Sequence, residues 1–283
     1  MRVQSAPAKG DTGVRNAIIP PMRVALLQMD LAWEDWKSNH AGAAKLLKRA
    51  ADDGASLALL PEMFATGFSM DGVKIAQPPG GPSEQWLRGM ARGLGLHLVA
   101  GLAETCDASG APSRLPCNNA LWVTPEGEVS RYTKLHPFSF AGENEHFAAG
   151  HGVVTWAIEG VRVTPLVCYD LRFPEPFRLA ADGTDLFAVV ANWPERRRAH
   201  WQLLLKARAV ENLCYVAGVN RVGEDGKGNR HLGDSSVTSP WGETLVSAAE
   251  TETLLVADVD PAKVTDARAK FPALRDRRES YTR

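Results

Sequence analysis

The sequence predicts one α/β domain, a parallel or mixed sheet covered by helices. Three observations carry that prediction. From Met22 onward, short apolar runs alternate with amphipathic segments, the pattern of strands followed by helices. Two turn signals, Pro125-Glu126-Gly127 and Pro240-Trp241-Gly242, sit where a strand reverses, so part of the sheet is antiparallel. No repeat, low-complexity tract or linker divides residues 22–283, and 45% hydrophobic with 23% charged residues is ordinary globular composition.

The elements follow in order. Strands are expected at 23–29, 57–60, 97–103, 119–123, 161–168, 186–191, 215–220, 234–238 and 253–259, with a hairpin partner at 129–132. These runs are rich in Val, Leu and Ala and are bounded by Gly, Pro or Asp. Helices are expected at 36–52, 83–94, 175–180, 199–212 and 261–270. In the first, Ala41, Ala44, Leu47 and Ala51 form the apolar stripe. Ser83 reads as the cap of the second, whose stripe is Trp86, Leu87 and Met90. In 199–212 the stripe is Leu203, Leu204, Ala207, Val210 and Leu213.

Residues 1–21 differ from the rest: small residues, Arg2, Lys9 and Arg15 against one Asp, and Pro20-Pro21 at the end. They lack the apolar core of a secretory signal and read as a flexible N-terminal extension. The charged tail from Asp276 to Arg283 reads as a solvated end or a dimer-exchange arm. The net charge of −1 offers no electrostatic footprint for nucleic acid or anionic membrane. The longest apolar runs are too short to span a bilayer. Cysteines at 106, 117, 168 and 214 form no C-x-x-C pair, which points to a reducing, cytoplasmic setting with a thiol free for chemistry.

Three strand ends carry chemistry-bearing residues. Leu60-Pro61-Glu62-Met63-Phe64 delivers a carboxylate among apolar neighbours, suited to general-base work. Taken alone, Glu62 reads as a loop residue facing water. Lys134, in Thr133-Lys134-Leu135-His136, reads as a solvated lysine or as a fixed cation for an oxyanion. His136 reads as a histidine satisfied by backbone. Cys168, before Tyr169-Asp170-Leu171-Arg172-Phe173-Pro174, ends a strand just ahead of a helix opened by proline. It reads as a buried small hydrophobe or as a nucleophile. A cysteine–histidine pair would need His200 or His231, and neither has an orienting partner in the sequence. An acid with a lysine is the better pairing, and Glu62, Lys134 and Cys168 follow one another at intervals of 72 and 34 residues.

On these residues the chain resembles the nitrilase (carbon–nitrogen hydrolase) superfamily, whose Glu–Lys–Cys triad has this order. The likeness runs from Arg23 to about Phe271 and includes Ala191-Asn192-Trp193-Pro194, Arg208-Ala209-Val210-Glu211-Asn212 and Gly233-Asp234-Ser235. Within it, Phe64-Ala65-Thr66-Gly67-Phe68-Ser69-Met70, Ala141-Gly142-Glu143 and His200-Trp201 are similar to the ω-amidase group. The resemblance implies a four-layer α-β-β-α sandwich and a hydrolase domain over 22–283. It implies hydrolysis of 2-oxoglutaramate or 2-oxosuccinamate to the diacid and ammonia, with Glu62, Lys134 and Cys168 as the triad and Glu143 orienting the lysine or the attacking water. Lys134 is expected to favour the Cys168 thiolate. Arg172 is either a fork for a distal carboxylate or a structural partner of Asp170. Tyr169, Trp193 and Phe64 are placed as substrate contacts, the first two alternatively as packing. No cofactor or metal is implied, and the partners expected are a small amide and a second copy of the chain. The same triad would serve an N-carbamoyl amino-acid hydrolase, an aliphatic amidase or a nitrilase. An inactive binding protein of this fold is the alternative of another class. An isochorismatase-like hydrolase would need an Asp where Glu62 stands.

Overall fold

A computed structural model describes residues 19–105 and 115–278. Most of the N-terminal extension, Cys106 and the last five residues of the tail lie outside the described residues. Two sheets pack face to face. The first has strand order β13(Thr253–Val259)-β1(Met22–Gln28)-β2(Leu57–Leu60)-β3(His97–Glu104)-β4(Cys117–Val123)-β5(Val129–Thr133). Its β1, β2 and β3 are parallel, and the remaining pairs are antiparallel. The second has order β10(Val222–Glu224)-β11(Arg230–Thr238)-β9(Tyr215–Asn220)-β8(Leu186–Ala191)-β7(Val161–Val167)-β6(Trp156–Ile158), with β12(Thr244–Ala249) paired to β11. Here β7, β8 and β9 are parallel.

Strand alternation creates the layers. Along β1, Val24 and Leu26 face the second sheet, while Ala25 and Leu27 face α1(Trp36–Asp52) and α3(Pro82–Leu94). Both faces of the strand are buried, so β1 reads as one apolar run. Against the outer face of the second sheet lie α5(Pro174–Ala180) and α6(Arg198–Asn212), through Phe177, Trp201, Leu205 and Ala209. The architecture is therefore helix, sheet, sheet, helix. Two single-turn helices, α2(Gly72–Ile75) and α4(Glu143–His146), lie in loops, and α7(Pro261–Lys270) follows β13.

The strands at 57–60, 186–191, 215–220 and 253–259, and the helices at 36–52 and 261–270, stand at the expected residues. Other features differ, each for a physical reason. Pro82 takes the first helical position of α3 with Gly81 as its cap, so Ser83 lies inside the helix and meets His40 Nε2 at 3.0 Å. In α1 the buried face is Asn39, His40, Ala43, Leu46, Leu47 and Ala50, with Ala41 exposed. Alanine is too small to fix a helix face, and the larger leucines decide it. In α6 the rotation is larger: Trp201, Leu205, Arg208, Ala209 and Asn212 face inward, while Leu203 and Val210 are 67% and 50% exposed. The strands β6 and β10 are three residues each, too short for a periodic signal. The turn after β11 is present, and β12 returns from it, a strand the half-exposed pattern of 244–249 hides. Ile19 packs beside Gly160 and the main core, so the fold begins slightly before Met22.

His40 lies on the buried face of α1, stacked on Trp86 at 4.3 Å. Burial depresses its pKa from 6.5 to about 4. A base depressed in the folded state leaves stability intact above pH 6.5, and stability falls between pH 6.5 and 4 as the unfolded chain takes up the proton first. His40→Gln is expected to flatten this dependence, so that its melting temperature falls less than wild type's between pH 7 and 5. The difference should be about 2–4 °C, read by circular dichroism. His231, also lowered to about 4 by burial and Arg221, keeps part of the slope.

Candidate active site

Each triad residue leaves its strand where the ladder ends. Pro61 has no N–H to continue β2, and Met63 adopts φ 42°, so the chain turns and drops Glu62 into the seam between the sheets. Gly101 on β3 locks this turn. Its N–H donates to Pro61 O at 3.1 Å and its carbonyl accepts from Phe64 N–H at 3.0 Å. A Cβ there would stand 2.3 Å from Glu62 Cα and 2.7 Å from Met63 N, so only glycine fits. Lys134 follows β5 and is pinned by its N–H to Asn118 O at 2.9 Å and by Gly150 N–H to its own carbonyl at 2.8 Å. Cys168 follows β7 at φ 45°, the first residue of a 3₁₀ turn, Cys168–Arg172, that leads into α5. The strand expected through residue 168 thus ends one residue earlier, because the left-handed backbone lifts the thiol off the sheet.

The three side chains converge. Lys134 Nζ donates to Glu62 Oε1 at 2.8 Å and to Glu143 Oε2 and Oε1 at 2.8 and 3.1 Å. Asn118 Nδ2 donates to the same two carboxylates at 2.8 and 2.9 Å. Glu62 Oε2 accepts from Asn192 N–H at 2.9 Å, and the Asn192 side-chain amide donates to the Glu62 carbonyl. Cys168 Sγ lies 3.9 Å from Asn192 O, and the Glu62 carboxylate is close enough to act on the thiol electrostatically. Glu62, Lys134, Glu143 and Asn118 belong to the first sheet and its loops, Cys168 and Asn192 to the second. All are buried.

Two carboxylates surround one ammonium, and this sets the protonation states. Burial works against the charge on Lys134, but Glu143 and Glu62 outweigh it and hold the ammonium firmly protonated. Burial raises Glu143, with Lys134 opposing. Burial and then Glu62 push the Cys168 thiol well above its ordinary range, and Lys134 only partly offsets them. Lys134 does pull Cys168 toward the thiolate, as expected, but burial and Glu62 outweigh it and favour the thiol at rest.

Asp170, buried two residues past Cys168, ties this region together. It accepts from Val167 N–H at 3.0 Å, Tyr132 Oη at 2.8 Å and His136 N–H at 2.9 Å, and the His136 ring meets it at 2.8 Å. Arg172 is not its partner. Arg172 donates to His200 Nδ1 at 2.9 Å and lies over the Trp193 ring, 5.0 Å from its centre. His200 is thus engaged with Arg172, and His231 Nδ1 with Asn229 O, so neither is the base of Cys168.

A cavity of about 180 Å³ opens onto the thiol. Cys168, Tyr169, Arg172, Trp193 and Asn192 line it, as do Phe68, Phe138 and Arg197. Phe64 does not: it is fully buried on the far side of the first sheet, 5.7 Å from His40 and 5.9 Å from Trp86 between ring centres. The left-handed turn at Met63 sends Glu62 and Phe64 in opposite directions. Sequence reasoning missed Asn118, Phe138 and Arg197. Asn118 had a signal, two adjacent asparagines in an otherwise apolar strand. Among the described residues no cluster of His, Cys, Asp and Glu is arranged to hold a metal ion, and no helix is long and apolar enough to cross a membrane.

Gly101→Ala is expected to cost about 1–3 kcal/mol of stability and, by moving Glu62, to lower kcat about 100-fold, read by denaturant unfolding and steady-state kinetics. Glu62→Gln removes the negative charge that opposes the thiolate, so alkylation of Cys168 by iodoacetamide should titrate at lower pH than in wild type. Hydrolysis should fall about 10²–10⁴-fold. An unchanged or higher titration midpoint would show that the Glu62 carboxylate does not oppose the thiolate.

The profile of the family described as carbon-nitrogen hydrolase matches residues 23–269. The omega-amidase YafV of Escherichia coli K12 is 40% identical over 261 residues, covering 91% of this chain and 97% of that protein. The 2-oxoglutaramate amidase of Bacillus subtilis 168 is 29% identical over 260 residues, covering 90% and 97%. Among solved structures, XC1258 of Xanthomonas campestris, a CN-hydrolase superfamily protein with an arsenic adduct in its active site, superposes with a TM-score of 0.86. It is 35% identical and covers 93% of this chain and 99% of that one. A buried acid, ammonium and thiol on a two-sheet sandwich, matched along nearly the whole described fold, make this chain a member of the carbon-nitrogen hydrolase family.

Proposed function

We propose that this enzyme hydrolyses the terminal amide of a small dicarboxylate monoamide, 2-oxoglutaramate or 2-oxosuccinamate, to the diacid and ammonia. The observation that carries the reading is the meeting of Glu62, Lys134 and Cys168 at a cavity sized for a short chain and bordered by arginines. The similarity to the E. coli omega-amidase and the B. subtilis 2-oxoglutaramate amidase points to the same substrates.

Glu62 takes the Cys168 proton as sulfur attacks the amide carbon. The developing oxyanion is held by the Lys134 ammonium and by the Tyr169 N–H, which follows the nucleophile directly. Each such donor stabilises the charge by about 3–4 kcal/mol. Protonated Glu62 gives its proton to the nitrogen, the C–N bond breaks and ammonia leaves. The thioester then accepts water, whose proton passes to Glu62. When the C–S bond breaks, Glu62 returns that proton to sulfur and the acid is released. Glu143 and Asn118 keep Lys134 aimed through the cycle. Tyr169, Arg172 and Trp193 shape the pocket wall.

We place the reaction in the cytoplasm, where a nucleophilic thiol stays reduced; the disulfide at Cys117 is the observation that weighs the other way. We also read the working form as a homodimer. The exposed Leu179 on α5 and Leu203 on α6 are apolar surface that a second copy would cover.

Wild type is expected to release ammonia and 2-oxoglutarate from 2-oxoglutaramate faster than it turns over an N-carbamoyl amino acid, butyramide or a nitrile. Cys168→Ala should lower that rate by about 10⁴-fold or more with unchanged circular dichroism. Activity confined to the carbamoyl compound or the nitrile would overturn the substrate, and retained turnover in the alanine variant would overturn the mechanism.

A further inference from the structure

The three consecutive arginines that lead into α6 and open it, Arg196 to Arg198, are not equivalent. Arg196 donates to Asn229 on the neighbouring hairpin. Arg198 is paired with Asp234, with Nε 2.8 Å from Oδ2 and Nη2 2.8 Å from Oδ1. Arg197 has no carboxylate partner among the described residues, and its side chain lines the cavity over Cys168. Its guanidinium lies over the Phe138 ring, 5.0 Å from the centre.

That platform is rigid. The Phe138 N–H donates to Glu143 Oε2 at 2.5 Å, which links the ring to the carboxylate that holds Lys134. Phe138 also packs on Tyr169, 4.8 Å between ring centres. The backbone of Arg197 is fixed as well, its N–H donating to Pro194 O at 3.0 Å and its carbonyl accepting from Trp193 Nε1 at 2.8 Å. Stacking on a ring orients a guanidinium but leaves its charge and its in-plane donors unmatched. Burial lowers the pKa of Arg197 below the ordinary arginine value, with Cys168 opposing and the neighbouring Arg196 and Arg172 adding to the effect. The side chain lines the same cavity as Cys168. Of the other arginines of the wall, Arg172 is already committed to His200 and to the face of Trp193, and Arg196 to Asn229.

We propose that Arg197 receives the carboxylate at the end of the substrate remote from the scissile amide, and that it, rather than Arg172, sets the preference for a charged over an uncharged amide. This rests on the reaction given above. A planar fork fixed by Phe138 is suited to bidentate recognition of a carboxylate, and the empty partner position is filled only when the substrate is charged. The pocket then measures the distance between amide and carboxylate from one rigid unit, since Phe138 positions Arg197 on one side and is held by Glu143 on the other.

The test compares kcat/KM for 2-oxoglutaramate and for butyramide in wild type, Arg197→Gln, Arg197→Lys and Arg172→Gln, with melting temperatures checking that each variant folds. Arg197→Gln should lower the ratio of the two values about 10- to 100-fold, mostly through KM for the charged amide. Arg197→Lys should recover part of it, because the charge returns without the fork. Arg172→Gln should lower the ratio less. A wild-type preference that survives Arg197→Gln, or that Arg172→Gln removes more completely, overturns the assignment while leaving the reaction intact. A wild type with no preference for the charged amide overturns both.

Discussion

A lysine ammonium enclosed between two carboxylates, all three out of water, is the constraint on which the site is built. Burying one ion costs several kcal/mol, offset here by the hydrogen bonds that Lys134 and Asn118 give to both Glu62 and Glu143. Removing Lys134 leaves two buried carboxylates without their counter-ion, a loss of about 3–5 kcal/mol. The cluster therefore dictates much of its surroundings: a proline that ends β2, a glycine on β3 with no room for a side chain, and a loop that returns Glu143 to the end of β5.

The same cluster explains the choice of proton carrier. An ammonium beside a lone thiol would draw it toward the thiolate, but here the surplus carboxylate charge works against a second anion. In the proposed reaction the sulfur gives up its proton only as a substrate carbonyl takes the negative charge close to Lys134, where donors are already in place.

Where one face of an element had to be buried by large residues, the sequence was explicit. The strands at 57–60 and 186–191 are apolar on both faces, and their ends coincide with the residues expected. Where small residues or two candidate faces competed, it was not. Helix α6 carries leucines on both sides, and Trp201 with Arg208 decided which side turned inward: the tryptophan supplies area, and the arginine reaches Leu171 O at 2.9 Å. The acid, lysine and cysteine that meet at the site were legible because their residue types are scarce at strand ends. Phe64 was misplaced because a single left-handed residue, Met63, reverses the side to which its neighbours point. Arg197 was invisible for a different reason: three adjacent arginines look alike until the partners of the outer two are seen.

The bonds to Asp170 carry one more consequence. Tyr132 and His136 stand at the lysine end of one sheet, Val167 at the cysteine end of the other, and a single carboxylate grips all three. The two halves of the sandwich are joined at the point where the reacting groups face each other. Any slip of one layer over the other is felt there at once, as a change in the gap between sulfur and ammonium. Catalytic competence in this protein is accordingly a gauge of how faithfully its two layers keep their alignment, and the surrounding hydrophobic bulk is free to vary so long as that alignment survives.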